Sequence, residues 1–87
     1  MPRNLEGMGG PRWPGSRKAK GTVLAWYPAD GWGILVGTDV TGRVYAGRDV
    51  VDVPTHLELV PGQRVAFEYT TPGANGYDHS ATYVRRL

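Results

Sequence analysis

Aromatic rings and a few polar groups near the end of the chain are the residues best suited to chemistry in this sequence. Trp32 stands between two glycines in "DGWGILV", and a flat exposed ring of this kind can stack on a nucleic-acid base. Asp78, His79 and Ser80 are the residue types of a hydrolytic triad, but neighbours on an extended chain point to opposite faces and cannot form its proton relay. No phosphate-binding loop with its lysine is present either. We therefore expect no enzymatic activity, metal or cofactor.

The glycines beside Trp32 need a reason, because an interior Gly weakens a strand and contributes no packing contact. Gly31 is expected to adopt a positive φ in a turn. Gly33, which has no side chain, is expected to leave one face of the sheet open, so that a flat ligand can lie against Trp32. The stretch predicts a turn that continues into a strand with an outward-facing ring.

Length and composition limit the chain to one small folded unit. It has 87 residues and no cysteine, which is too short for two independent cores and excludes disulfides. Its longest apolar run, Val23–Tyr27, is too short to cross a bilayer. We expect a soluble, cytoplasmic monomer without a membrane or small-molecule partner.

The charge is divided unevenly along the chain. Residues 1–20 carry five basic residues and one acidic residue, whereas residues 21–87 carry five basic and seven acidic residues. The first segment is also rich in Gly and Pro and has too few large apolar side chains to offset the entropy of ordering it. It predicts a flexible basic arm at 1–20 and a folded domain at 21–87. The arm is either a solubilising tail or a source of cations, including Lys18 and Lys20, for a polyanion.

The folded part reads as five strands. These are "GTVLAWY", "WGILVG", "RVYAG", "QRVAFEYTT" and "SATYVRRL", separated by Gly-rich turns. Alternation places Val65, Phe67 and Tyr69 on one face and predicts Phe67 in the core; in the last strand it opposes Ala81 and Tyr83 to Thr82 and Val84. Closing such a small sheet removes its edges and buries its inner face. We therefore predict an all-β fold, a five-stranded antiparallel OB-type barrel.

The order of these segments resembles the cold-shock domain family. That family opens with Gly-x-Val-x-Trp-Phe and continues through Lys-Gly-Phe-Gly-Phe-Ile, Val-Phe-Val-His-Phe and Leu-x-x-Gly-Gln-x-Val-x-Phe-Glu to Ala-x-x-Val. The corresponding segments here are "GTVLAWY", "DGWGIL", "RVYAGR", "LVPGQRVAFE" and "ATYV". The likeness covers essentially all of residues 21–87, and its fourth segment is the most specific.

The resemblance implies an OB barrel that binds single-stranded RNA or DNA by stacking bases on an outer face. It places Trp32 and Tyr45 as stacking rings, and His56 near a loop aromatic. Trp26 is either a core residue or a stacking ring. An ungapped alignment puts it at a buried position, next to the position of the family's stacking Trp. Tyr77 is a candidate clamp in the last loop.

Four departures from the family pattern lower the expected affinity. Asp30 replaces a Lys, Ile34 a Phe, Gly47 a His and Arg48 a Phe. Losing two or three rings removes several kcal/mol, since stacking is worth about 1–3 kcal/mol per base. Arg43 and Arg48 flank the proposed face, and the guanidinium of Arg48 is itself flat enough to stack on a base.

Two functions follow. The first is single-stranded nucleic-acid binding with little sequence preference, as in an RNA chaperone or transcript regulator. The alternative is a barrel that has lost this activity and binds a protein partner. The acidic body and an exposed apolar patch of Ile34 and Val36 beside Trp32 favour the alternative.

Overall fold

The computed structural model of the chain describes residues 15–52 and 58–87. The six strands are β1 Arg17–Tyr27, β2 Trp32–Gly37, β3 Val44–Gly47, β4 Val51–Asp52, β5 Arg64–Thr70 and β6 His79–Arg86. Within these ranges the helical structure is one 3₁₀ turn, Arg48–Val50. None of it has the length and hydropathy that crossing a bilayer requires.

Five of these strands close into a barrel. β1 pairs with β2 on one side and with β5 on the other, β2 pairs with β3, and β5 with β6. A pairing of β3 with β6 closes the ring, and β4 adds a short pairing to β6. The all-β barrel is confirmed and is compatible with an OB-fold. The orientation is mixed, because β3 and β4 run parallel to β6 while the other pairs are antiparallel.

The interior of the barrel is filled by one apolar cluster. Its fully buried side chains include Leu35, Val44, Val65, Phe67 and Val84. The predicted inner face of β5 is confirmed, because Val65, Phe67 and Tyr69 are all buried. With so small a core, most strands contribute two or three side chains, so each buried position matters for stability.

The domain begins earlier than the sequence predicted. The predicted arm ended at Lys20, but Arg17–Lys20 belong to β1 and pair with β5, with Ala19 opposite Phe67. The physical reason is that the Phe67 ring is buried and requires a packing partner inside the barrel. Ala19 supplies a small inward side chain opposite it, while Lys18 and Lys20 on either side point outward. Residues 1–14, which form the rest of the predicted arm, lie outside the described residues.

Two irregularities in the pairing change which side chains face inward. In β1 the register shifts between Val23 and Ala25, so that both Val23 and Trp26 are buried. In β6 the pairing shifts opposite Glu68 and Tyr69, so that Ala81 and Val84 are both buried. The predicted alternation of the last strand, which opposed these two residues, was wrong because a bulge reverses the faces along a strand.

Candidate nucleic-acid interface

Four aromatic rings form a continuous cluster on the outside of the barrel. The rings of Trp32 and Tyr45 are stacked, with centroids 5.4 Å apart and 23° between their planes. Tyr27 packs on Trp32 at 4.6 Å, and Tyr77 lies 6.1 Å from both Trp32 and Tyr45. We call these four residues the aromatic cluster. Trp32, Tyr45 and Tyr77 are half-buried, and Tyr27 is exposed.

The β1–β2 hairpin brings two of the four rings together. Tyr27 and Trp32 are paired across the hairpin, and the amides of Asp30 and Gly31 both donate to the carbonyl of Tyr27, at 3.1 and 2.8 Å. Gly31 has φ +77°, so the predicted positive φ is confirmed. The turn therefore fixes the Tyr27–Trp32 contact through the backbone, before any ligand is present.

Gly33 has a different role from the one predicted. A side-chain carbon at Gly33 would lie 2.3 Å from Cε3 of Trp26 and 2.5 Å from the carbonyl oxygen of Ala25. Gly33 therefore leaves space on the inner side of the sheet, where the Trp26 ring crosses it, and not on the face that carries Trp32. The prediction that Gly33 leaves room for a flat ligand against Trp32 was therefore wrong.

Trp26 is a core residue. Its side chain is 8% exposed, and its indole Nε1 donates to Oε1 of Glu58 at 2.7 Å. This decides between the two readings of Trp26: the ring is inside the barrel and its polar edge reaches the rim. Trp26 thus packs inside the barrel, under the aromatic cluster, and does not belong to that cluster.

Arg48 is held in the same network. Its guanidinium forms an ion pair with Glu58 at 3.0 Å and donates to the carbonyl of Pro28 at 2.6 Å. The hydrogen bond from Trp26, followed by the contacts with Arg48, lowers the pKa of Glu58. Arg48 therefore braces the β1–β2 turn against the segment before β5, and stacking on a base would require it to give up these bonds.

The β5–β6 loop carries Tyr77 to the cluster and is fastened by side chains. Oδ2 of Asp78 accepts from the Arg43 amide, and Oγ of Ser80 accepts from the Ala74 amide. The His79 ring bridges the Thr71 hydroxyl and the Thr41 carbonyl, at 2.6 and 2.8 Å. The three triad-like residues each bind a different loop group, so they position Tyr77.

Carboxylates border the aromatic cluster. Gly47 pairs with Trp32 across β2 and β3, and a side-chain carbon at Gly47 would lie 2.6 Å from Oδ1 of Asp49. The Asp49 carboxylate thus occupies the space above Gly47, next to Trp32. Asp78, the neighbour of Tyr77 in the chain, carries a second carboxylate, which accepts from the Arg43 amide. Negative charge at this position opposes a phosphate and can accept hydrogen bonds from base amino groups.

The remaining predicted site residues do not gather at this cluster. Arg43 is exposed just before β3, whereas Lys18 and Lys20 lie on the first half of β1, away from the rings. His56 lies outside the described residues. Ile34 is 5% exposed, so the expected apolar patch of Ile34 and Val36 was wrong: Ile34 is covered on the face that carries Trp32.

Tyr27 is the member of the cluster that the sequence reasoning missed. Its signal was the alternation of β1 near its end, because an inward Trp26 requires Tyr27 to face outward. Its second signal was the short turn that follows, which places the residues on either side of it opposite each other. Both signals depended on knowing that Trp26 is buried.

Comparison with protein-family models and with curated proteins finds no match for this chain. The class that the fold and the surface define is a small closed β-barrel, compatible with an OB-fold, that carries an outer aromatic cluster.

Proposed function

We propose that the protein binds single-stranded nucleic acid, RNA or DNA, by stacking bases on the aromatic cluster, in the manner of a cold-shock-type OB domain. The observation that carries the proposal is the cluster itself. Trp32 and Tyr45 lie on the outer side of two paired strands whose inner side chains, Leu35 and Val44, fill the core. Half-exposed rings outside a closed barrel provide a stacking surface without loss of core packing.

The predicted binding mode is stacking with little sequence reading. Tyr27 and Tyr77 both lie close to Trp32, so the cluster offers several neighbouring rings to one strand. Every base has a flat face, and stacking is therefore tolerant of sequence. The function that follows is the binding of unpaired strands, as an RNA chaperone or transcript regulator requires.

Removal of single rings tests the proposal. We expect Trp32→Ala and Tyr45→Ala each to weaken binding of a fluorescein-labelled oligothymidine by about 1–3 kcal/mol, because each removes one stacking partner. Fluorescence anisotropy measures the binding, and circular dichroism checks that each variant is folded. Trp32→Phe is the matched control, since it keeps a flat ring at the same position. Unchanged titration curves for both alanine variants would remove the stacking proposal.

The carboxylate of Asp49 favours a second candidate function, in which the aromatic cluster binds a protein partner. A carboxylate at this position repels a phosphate chain. A protein interface tolerates it, because the contact is made by apolar rings and the partner can supply a cation to the carboxylate. Salt dependence separates the two functions. Nucleic-acid binding weakens steeply as salt is added, and a contact made through apolar rings changes little.

A further inference from the structure

Most basic side chains that the structure describes lie away from the aromatic cluster. Of the eight, six belong to the first half of β1 and to β5 and β6: Arg17, Lys18, Lys20, Arg64, Arg85 and Arg86. β1 therefore carries cations in its first half and Tyr27, a member of the aromatic cluster, at its end. The two kinds of binding chemistry are found on different sides of one barrel.

The pairing register places these cations on the outer surface. Because Val65 and Phe67 are buried, their neighbours Arg64 and Ala66 face outward. Ala66 pairs with Lys20 on β1 and with Arg85 on β6. A row across three strands thus has a small residue at its centre and a cation on each side, and the outer strands are about 10 Å apart.

This row crosses a cleft of about 590 Å³. Its lining includes Lys18, Lys20, Arg64 and Arg85, with Asp39 and Glu68 as its carboxylates. Among the described residues, Lys20, Arg64 and Arg85 form no ion pair. With four cations and two carboxylates in its lining, the cleft is positively charged overall. We call this surface, between β1, β5 and β6, the basic cleft.

We propose that the basic cleft is a second binding site, which takes the sugar–phosphate backbone of a nucleic-acid strand. Lys and Arg around a concave surface match a chain of phosphates in charge and direction. The floor at Ala66, a small half-buried residue, is low enough for a backbone to approach. The Tyr83 hydroxyl donates to Asp52 at 2.6 Å, which ties that ring to β4.

The inference extends the proposed function to a second surface and can stand without the first. If both are occupied, the protein holds bases on the aromatic cluster and phosphates in the basic cleft. The cleft would then supply the salt-dependent part of the affinity, because the carboxylate of Asp49 beside Trp32 repels phosphates.

An oligomer of abasic deoxyribose phosphates, about twelve units long, tests the cleft separately from the aromatic cluster, because it has phosphates and no bases to stack. We expect the full chain to bind it with a slope of about −2 in log K against log [salt], from three cations at about −0.7 each. Ala66→Glu places a carboxylate between Lys20 and Arg85, and it should weaken this binding about tenfold. Val60→Glu is the matched control, because it adds the same charge at an exposed residue outside the cleft.

Two further measurements decide between the surfaces. Trp32→Ala should leave binding of the abasic oligomer unchanged, so that failure of the stacking proposal and failure of the cleft are seen separately. Lys20→Glu provides a second cleft variant if Ala66→Glu does not fold. The proposal is overturned if neither folded variant weakens the abasic oligomer more than Val60→Glu does, or if a polyglutamate of equal charge binds more tightly than the oligomer.

Discussion

The aromatic cluster and the basic cleft differ in the charge that surrounds them. Asp49 lies beside Trp32, whereas Lys20, Arg64 and Arg85 surround a surface whose centre is Ala66. A single site that stacks bases and neutralises phosphates would have both features in one place. We therefore propose that this barrel divides base stacking and phosphate binding between two outer surfaces.

The division has its origin in β1. Its first half pairs with β5 and its second half with β2, so the strand takes part in both surfaces. The register shift between Val23 and Ala25 turns Trp26 inward and leaves Tyr27 outward beside Trp32. One irregularity in one strand therefore determines that Tyr27, and not Trp26, joins the outer aromatic cluster.

The largest effect is expected from substitution beneath the aromatic cluster. Gly33→Ala puts a carbon against the Trp26 ring and the Ala25 carbonyl, and overpacking of this kind costs about 2–3 kcal/mol. Because one of the two neighbours is backbone, rotation of the Trp26 ring alone cannot relieve the contact. The urea midpoint of unfolding, measured by tryptophan fluorescence, should fall accordingly.

Ala66→Ser is the matched control for this prediction. It enlarges a small residue on the outer side of β5, where the cleft has room, and surface changes of this kind stay within about 0.5 kcal/mol. Equal losses of stability in Gly33→Ala and Ala66→Ser would contradict the distinction between a packed layer under the rings and an open floor in the cleft.

Much of the fold was predictable from the sequence because it depends on local patterns. Gly-rich turns bounded the strands, and the alternation of Val65, Phe67 and Tyr69 gave the inner face of β5. Trp32 and Tyr45 were expected on one outer face, and they lie there in contact. These features follow from side-chain period and turn chemistry, which a single sequence carries.

The features that were not predictable depend on contacts between distant residues. The bulges in β1 and β6 are set by packing across the barrel, and a sequence with a strict period of two gives no sign of them. The role of Gly33 requires knowing that Trp26 lies opposite it. The bonds of Arg48 to Glu58 and Pro28 also join residues distant in the chain, so the sequence predicted an Arg48 that flanks the face and can stack on a base.

Removal of single carboxylates should affect the two surfaces separately. We expect Asp49→Asn to tighten oligothymidine binding by about 0.5 kcal/mol at low salt, because it removes a negative charge beside Trp32. Asp39→Asn, which removes a carboxylate from the basic cleft, should tighten binding of the abasic oligomer by a similar amount. Anisotropy titrations of both variants with both ligands give the comparison.

Each of these carboxylate changes serves as the control for the other. If Asp49→Asn changes oligothymidine binding but leaves binding of the abasic oligomer unchanged, while Asp39→Asn changes binding of the abasic oligomer, the two sites are independent. Weaker oligothymidine binding by Asp49→Asn would show instead that the carboxylate accepts a hydrogen bond from a base. In that case Asp49 reads the base and does not merely repel the backbone.

The smallest effect is expected at Glu58, which braces the aromatic side of the barrel. Its pKa is lowered in the folded protein, first by the hydrogen bond from Trp26 and then by Arg48. A lowered folded-state pKa means that the ionised group stabilises the fold above its unfolded-state pKa, near 4.3, and that this contribution is lost as the pH falls through the folded value. Glu58→Gln should therefore be less stable than the unchanged protein at pH 7, and the difference should shrink as the pH falls below about 4.

The partners of Glu58 supply the control for this pH dependence. Arg48→Gln removes the ion pair but leaves the Trp26 indole donating to the carboxylate, which is the larger cause of the lowered pKa. Urea midpoints measured across the acidic range should therefore retain part of the pH dependence in Arg48→Gln and lose more of it in Glu58→Gln. A constant difference between Glu58→Gln and the unchanged protein at every pH would show that the side chain acts through packing alone. Trp26 would then be held under the aromatic cluster by the core, with no contribution from charge at the rim.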